Sequence, residues 1–567
     1  MSYFDDASLV MIPSGYKDQK VYSVKPLDGS GDLTFSRASS ATRVASNGLI
    51  EKVRTNLITY SNTFSDASWV SSAGTKPTVT QNVTDPFGVA NNAWTITGAG
   101  TTYSRLSRAG IVLTTAPQTI SFFVKKGTAT TVTIFTSQTS VANLVFNFDT
   151  QAITGVDGGY NVIRKATQLT DGWFRLSMTL STTSGTANET WGFNLDGSIT
   201  TTFLLFGGML ENGDIATDYI PTTSAAVSVG PVSGLPRLDY LNSTCPRLLL
   251  EPQRTNLALY SEQFNNAAWV LDGDGAGQSV TANYATSPDG YQNADRIQLN
   301  RTGGSYSRIR QVIVAPSTGS LTASVYLKTN DGTTKNLNFR LGAAGGDVIS
   351  VTSSWQRFSI TKSVTSGLAY DFELFTDSSS AITIDFSAYG AQYEAGAYAT
   401  SYIPTLSTSV TRVAESFSKS SISSLIGQTE GTFLVDFVYS NTNISVAQIF
   451  SISDSTTANR VYIGTAFGQA LIALVTSGGV AQANIPTSFP LVLGQRYRAA
   501  IAYKANDFAF YLNGVQIGTD NSGTVPAMNY ISNSSGAGSS PANYPLNQLL
   551  LFKTRLTNAQ LAELTTL

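Results

Sequence analysis

Apolar and polar positions alternate with a period of two in the most legible parts of this chain. Tyr497, Ala499, Ile501 and Tyr503 interleave with Arg498, Ala500 and Ala502; Phe508, Phe510 and Leu512 then lead into Asn513-Gly514 and Val515-Gln516-Ile517. Such alternation buries one face of a strand, and Asn-Gly supplies the pair of positive φ angles that a type I′ turn needs, so the stretch predicts a hairpin. Residues 119–125 and 320–328 predict further strands ending at Gly-containing turns. Helical periodicity is scarce. Its one clear instance is the last segment, Leu556-Thr557-Asn558-Ala559-Gln560-Leu561-Ala562-Glu563-Leu564, where Thr and Gln stand at capping-box spacing before apolar residues. A short C-terminal helix after a last strand over 549–552 is the expectation.

The strand pattern is written twice. Arg54-Thr55-Asn56-Leu57, Tyr60-Ser61, Phe64, Ala67 and Trp69-Val70 recur 200 residues later as Arg254-Thr255-Asn256-Leu257, Tyr260-Ser261, Phe264, Ala267 and Trp269-Val270. Downstream, Tyr103-Ser104-Arg105-Leu106 is answered by Tyr306-Ser307-Arg308-Ile309, and Trp173-Phe174-Arg175-Leu176 by Trp355-Gln356-Arg357-Phe358. Each copy closes alike: Glu211-Asn212-Gly213 and Ala216-Thr217-Asp218-Tyr219-Ile220-Pro221-Thr222 match Glu394-Ala395-Gly396 and Ala399-Thr400-Ser401-Tyr402-Ile403-Pro404-Thr405. A unit this long is a duplicated folded domain, not a solenoid repeat. The fold class expected is all-β, with tandem antiparallel β-sandwich (jelly-roll) domains and a short C-terminal helix. The domains read as an attachment and assembly region over 1–50, a first jelly roll over 51–230, a breaker-rich linker over 231–250, a second jelly roll over 251–415 and a third domain over 416–567. Residues 1–50 carry too little apolar sequence for a core of their own, which predicts that a partner orders them.

Composition narrows the function. Charged residues are only 13% of the chain and the net charge is −2, so the basic footprint that releases phosphate counterions is missing and no nucleic-acid partner is expected. No apolar run approaches the roughly 20 residues of a membrane span, and the N-terminus has no basic and apolar leader, which predicts synthesis in the cytoplasm without membrane insertion. Cys245 is the only thiol and histidine is absent. Intrachain disulfides, His-dependent triads and the usual His-containing zinc sites therefore drop out.

Two resemblances follow from these residues. Phe508-Ala509-Phe510-Tyr511-Leu512-Asn513-Gly514-Val515 with the closing Leu-Thr-x-x-Gln-Leu-x-x-Leu segment resembles laminin-G-like, concanavalin-A-like domains. The duplicated unit, with its Tyr-Ser-x-x-Phe-x-x-Ala-x-Trp opening and its Ala-Thr-x-Tyr-Ile-Pro-Thr closing, resembles carbohydrate-binding-module-like jelly rolls of tailed-phage structural proteins, and residues 14–51 are similar to the N-terminal part of such virion proteins. The resemblance implies a virion protein made in the host cytoplasm, a tail-fibre or receptor-binding component that is homotrimeric and meets other virion proteins and host surface glycan. A head fibre or decoration protein without glycan binding is the second reading, and a polysaccharide depolymerase the third.

Three chemistries are weighed on particular residues. A glycosidase needs two carboxylates across the scissile bond. Residues 418–567 hold no Glu-x-Asp-x-Glu strand, and Asp436 in Leu434-Val435-Asp436-Phe437-Val438 reads as an exposed strand position, so no enzyme is expected. Asp272-Gly273-Asp274-Gly275-Ala276-Gly277 begins like an EF-hand loop, but Ala276 lacks the fifth-position oxygen and Asn283 stands where the bidentate Glu belongs. No cofactor is called for otherwise. By resemblance, a structural calcium would fall to Glu211 and Glu394, whose alternative role is to satisfy backbone N–H groups as buried carboxylates. Glycan contact needs an exposed aromatic beside amides or acids. Residues identical in both copies, such as Trp69 and Trp269, read as framework; Tyr284, Tyr291 and Asn293, and Tyr530 and Tyr544, are the candidates.

Overall fold

The computed structural model describes residues 3–72, 74–100, 103–136, 141–196, 200–273, 277–302, 306–342, 346–376, 382–440, 448–465, 470–536 and 538–567. They form antiparallel sheets, and the only α-helices among them are Tyr3–Asp6 and Asn558–Thr565. The chain divides into two compact units: residues 53–230 with 291–293, and residues 1–52, 231–290 and 294–567.

The first unit is a β-sandwich. A six-stranded sheet runs in the order Tyr160–Gln168, Trp173–Thr182, Gln118–Lys126, Thr202–Asn212, Ala93–Thr97 and Thr78–Val83. A five-stranded sheet runs Tyr103–Leu113, Ala187–Asp196, Thr131–Thr136, Asn143–Asn147 and Ile153–Thr154. Inward positions such as Phe122, Leu176, Trp191 and Phe193 fill the space between them. Two short strands, Arg54–Asn56 and Val227–Val229, pair antiparallel where the chain enters and leaves.

The second unit repeats this sandwich with five strands on each side. One sheet runs Ser279–Thr286, Gln292–Arg301, Ile382–Ala395, Gly319–Thr329 and Gln356–Val364; the other runs Val270–Gly273, Ser307–Val314, Ala369–Thr376, Lys335–Leu341 and Asp347–Val351. The duplication extends to individual hydrogen bonds. The Asn56 amide donates to the carbonyls of Gly208 and Ile220, and the Asn256 amide to those of Ala391 and Ile403. Ser61 meets the Tyr219 hydroxyl at 2.7 Å, and Ser261 meets Tyr402 at 2.6 Å. Tyr60 and Tyr260 both take positive φ, 52° and 49°, and their carbonyls accept the indole N–H of Trp69 and Trp269 at 3.0 and 3.1 Å. Positive φ is uncommon outside glycine, so its recurrence with the same acceptor marks the opening motif as framework. Both Trp rings are buried, each 4.8 Å from its Phe partner.

A C-terminal sandwich completes the second unit. The Asn513-Gly514 turn takes φ 49° and 83° between strands Phe508–Leu512 and Val515–Asp520. Helix Asn558–Thr565 carries the expected capping box, the Thr557 hydroxyl accepting from Gln560 N–H. Asp436, expected on a strand surface, is instead fully buried: Arg496 and Arg498 reach its carboxylate at 2.5 and 2.8 Å, and Asn547 at 2.9 Å. Three donors on neighbouring strands make the interior position tolerable for a charge.

Residues 1–50 and 231–250 are not peripheral to this sandwich. Leu9–Met11 pairs with Leu549–Leu551, Leu33–Ser36 with Ser416–Lys419, and Leu248 with Leu546. Leu9, Met11, Val21, Leu33, Phe35, Leu238, Leu248 and Leu250 lie in one core with Phe433, Phe510 and Leu549. The N-terminal segment thus finds its ordering strands some 380–540 residues away in its own chain, in place of the separate partner that its sparse apolar content predicts. A buried ionic network binds the same pieces. Glu415 accepts from Arg37 at 2.8 Å, from Arg237 Nε at 2.7 Å and from the backbone N–H of Glu251 at 3.0 Å. Glu251 pairs with Arg237 at 2.8 Å and Arg412 at 2.9 Å.

Candidate functional site

Strand alternation in the second sandwich sends Ile297, Leu299, Ile384 and Phe386 inward and Arg296, Gln298, Asp385 and Ser387 outward. Register places Arg296 opposite Ser387, Gln298 opposite Asp385, and Lys328 opposite Ser387 on the far side. The outer face therefore carries a row that starts at Tyr284 on the edge strand and passes through Arg296, Ser387 and Lys328 to Trp355. Tyr284 is 45% exposed and the Arg296 guanidinium lies over its ring at 5.0 Å; Lys328 stands 5.2 Å from the Trp355 ring, whose indole donates to the Thr286 carbonyl at 2.9 Å. Asp385 fixes the centre: Arg296 Nε donates to it at 2.9 Å and Asn330 at 2.7 Å, while Ser387 holds Asn330 at 2.8 Å. Burial alone would raise the Asp385 carboxyl, but the bonds from Arg296 and Asn330 outweigh it and hold it below the ordinary value. It is a fixed anion with a guanidinium, amides and an open aromatic ring around it.

The first sandwich has the same frame without these groups. Its register sets Thr80, Thr95, Leu204, Lys125 and Trp173 in the corresponding row. Only the lysine and the tryptophan are common to both. On the opposite sheet of the second sandwich, Arg308 bridges Asp272 and Glu373, Arg310 reaches Asp371 at 3.2 Å, and Arg340 Nε meets Glu373 at 2.7 Å. Asp272 of the EF-hand-like stretch is thus bound by arginine, and residues 274–276 lie outside the described residues.

The five glycan candidates are not brought together. Tyr284 alone heads the half-buried polar row described above. Tyr291 groups with residues 53–230: its hydroxyl donates to Asp218 at 2.8 Å and accepts from Arg54, whose guanidinium lies 5.5 Å over the ring. Burial first, and then Asp218, push this phenol up to about 12. Asn293 is buried. Tyr530 is half-buried at the start of strand Tyr530–Ser532. Tyr544 is no rim residue; it is buried in the C-terminal core, stacked 5.1 Å from Phe437 and tilted against Tyr439 at 5.5 Å. The calcium candidates are equivalent and committed elsewhere. Glu211 accepts from Thr217 N–H at 2.9 Å and from its hydroxyl at 2.5 Å, and Glu394 from Thr400 N–H at 2.8 Å and from its hydroxyl at 2.6 Å. A lone buried carboxylate bonded in this way does not fit an ion that takes six to eight oxygens, and the described residues include no group of three acids or cysteines able to hold a metal.

Sequence reading missed Arg296, Asp385, Asn330 and Lys328. The signal was present in the outward positions of 296–300 and 383–387, which alternate with apolar residues and differ from their counterparts in the first copy.

No family model matches the chain, and no curated protein is recognisably similar to it in sequence. Among solved structures it is similar to the CBM40 module of the Ruminococcus gnavus IT-sialidase bound to alpha2,3 sialyllactose, at 12% identity over 25% of this chain and 84% of that one, with a TM-score of 0.22. It is also similar to the tandem CBM22 domains of Paenibacillus barcinonensis Xyn10C, at 12% identity over 63% of this chain and 99% of that one, TM-score 0.22. A third is the SAP-like pentraxin of Limulus polyphemus, at 18% identity over 24% of this chain and 68% of that one, TM-score 0.19.

Proposed function

We propose that this chain is a non-catalytic surface protein of a tailed-phage particle, a tail-fibre or receptor-binding component that contacts host surface glycan through the second sandwich and acts as a homotrimer. The observation that carries the glycan reading is the Tyr284–Arg296–Asp385 face. An exposed ring offers an apolar platform for the C–H face of a pyranose, while Arg296, Asn330, Gln298 and Asp385 offer donors and acceptors for its hydroxyls. The particle assignment rests on the opening and closing motifs of the repeats. Binding without cleavage is supported by the occupation of interior carboxylates such as Asp436, Glu211, Glu394 and Glu373 by arginines, threonines or amides. A low-affinity sugar face becomes useful on a particle through several linked copies, which is the reason for the trimer.

The test is to titrate host cells and their isolated surface polysaccharide with the full chain, beside Tyr284→Ala and Asp385→Asn variants. Saturable binding that both variants weaken at least tenfold, with polymer length unchanged, is the expected result. Equal binding by the variants removes the site, no binding by any form favours the decoration-protein reading, and release of reducing ends favours the depolymerase.

A further inference from the structure

Behind the closing motif of the second sandwich lies a small aromatic chamber built from Tyr389, Tyr402 and Ala294 and roofed by Ile50. The roof arrives as strand Ile50–Glu51, and the Ile50 N–H bonds the Pro288 carbonyl at 2.9 Å. Gly290 follows at φ 87°, a conformation that suits glycine, and a Cβ there would stand 2.8 Å from the tip of the Leu49 side chain. The next residue of the roof, Lys52, reaches into the chamber. Its Nζ lies 2.8 Å from Asp289 Oδ2 and 2.8 Å from Glu262 Oε2, and 5.4 Å from the centre of the Tyr389 ring. Both Asp289 oxygens are held. Ser287 donates to Oδ1 at 2.6 Å, the one hydroxyl proton of Tyr389 is shared between Asp289 Oδ2 at 2.9 Å and Glu262 Oε1 at 3.2 Å, and Tyr402 donates to Glu262 Oε1 at 3.0 Å.

The first sandwich has this chamber without the charged set. Asn62 stands where the duplication places Glu262, and in the matching turns Pro86-Phe87-Gly88 and Pro288-Asp289-Gly290 a phenylalanine replaces the aspartate. Phe87 lies edge-on to Phe123 and Phe206. The frame therefore needs no ions. An amine and an acid in contact, with a second acid against the amine and hydroxyls on both carboxyl oxygens, form an arrangement with its own chemistry.

We propose that Lys52 and Asp289 are joined by an intramolecular isopeptide bond, formed with Glu262 as the proton shuttle. The Lys52 ammonium first passes a proton to the Asp289 carboxylate, which turns an ion pair into a neutral amine beside a neutral acid, the direction that burial favours. Nζ then attacks Cγ. The oxyanion that forms is met by the hydroxyls already on the carboxyl oxygens, which is how preorganised donors lower such a barrier. Glu262 takes a proton from the nitrogen and returns it to the departing oxygen. One C–N bond forms, one C–O bond breaks and one water leaves; nothing is oxidised or reduced, and no co-reactant is needed. Burial raises the Glu262 carboxyl, which suits a group that must hold a proton in transit. Before reaction the two acids hold the Lys52 ammonium above its ordinary value, against the opposite pull of burial, so bond formation starts from an ion pair and proceeds through the shuttle.

The product is a covalent ring that encloses residues 53–288. The test is the intact mass of the denatured full chain, expected about 18 Da below the sequence mass, one water per bond. A branched proteolytic peptide should contain both Lys52 and Asp289. Lys52→Arg, and separately Glu262→Gln should the arginine variant not fold, are each expected at full sequence mass. Cleavage within 53–230 supplies a second reading: the two fragments should remain joined in denaturing gels for the wild-type chain and separate for the variants. A wild-type chain at full sequence mass overturns the proposal, as does a loss of water that persists in Lys52→Arg.

Discussion

Glu415 is the perturbation that probes the architecture most directly. Its carboxylate is fully buried and accepts from Arg37, Arg237 and the backbone of Glu251, so it touches the N-terminal segment, the 231–250 stretch and the second sandwich at once. Glu415→Gln keeps the shape, removes the charge and turns an amide N–H₂ toward donors. Hydrogen bonds to charged groups contribute roughly 1.5–3 kcal/mol each, and breaking a buried ionic pair by neutralising one member costs about 3–5 kcal/mol because the partner stays buried uncompensated. Here Arg37 would lose its one carboxylate partner and Arg237 would have to share Glu251 with Arg412, which puts the cost near the upper end, about 4–5 kcal/mol. Urea unfolding followed by hydrogen exchange resolves where the loss falls. Protection should drop in 1–52, 231–290 and 294–567 and stay unchanged in 53–230, the separate unit. Lys362→Ala, which removes the exposed Lys362–Asp347 pair, serves as the control at under about 0.5 kcal/mol. A Glu415→Gln loss below about 1 kcal/mol, or one spread evenly over both units, would refute the view that the network clamps these segments together.

Further outcomes are expected. Burial raises the Glu251 carboxyl, but Arg412 and Arg237 outweigh it, so its folded value is depressed; its stabilisation is then complete above about pH 4.3 and lost as pH falls toward the folded value. Urea midpoints measured from neutral pH down to about pH 3 should decline in the wild type and be lower but flatter in Glu251→Gln. Asp436→Asn should cost about 3 kcal/mol by leaving Arg496 and Arg498 with a neutral partner, and a variant as stable as wild type in calorimetry would show that solvent already compensates the arginines. Thr557→Ala should lower stability by about 1 kcal/mol through the lost helix cap, seen as faster exchange in the last turn of chain. Deleting residues 1–36 should leave the C-terminal sandwich with an exposed core face and bring dye binding or aggregation, because Leu9, Met11, Val21, Leu33 and Phe35 line that core.

What could be read ahead of the structure was local. Asn513-Gly514 and the Thr557–Gln560 box act within a few residues, and the duplicated motifs announce themselves by spacing alone. What could not be read was contact at long range. Nothing in Leu9-Val10-Met11 specifies Leu549–Leu551 as its partner, and a short strand without a visible neighbour looks like a linker. Asp436 reads as exposed because alternation says which positions share a face, not whether that face is covered; here Arg496, Arg498 and Asn547 cover it. Tyr291 and Tyr544 both sit beside loop-type residues, yet one is bound by Arg54 and Asp218 and the other fills a core. Tyr284 keeps its exposure because its strand is the edge of the sheet, a place in the fold that no composition encodes.

Strands Arg54–Asn56 and Val227–Val229 pair with each other, and the chain on either side of them belongs to the other unit. The first sandwich is therefore an insert whose two ends meet at one zipped doorway, and the pairing of Arg254–Asn256 with Val410–Arg412 builds the same doorway for its twin. Such a module can be lifted out or exchanged at Lys52 and Pro231 without asking the host fold to find new neighbours for its severed ends. A lineage under pressure to change what it touches could then trade whole sandwiches while its buried clamp stays the same.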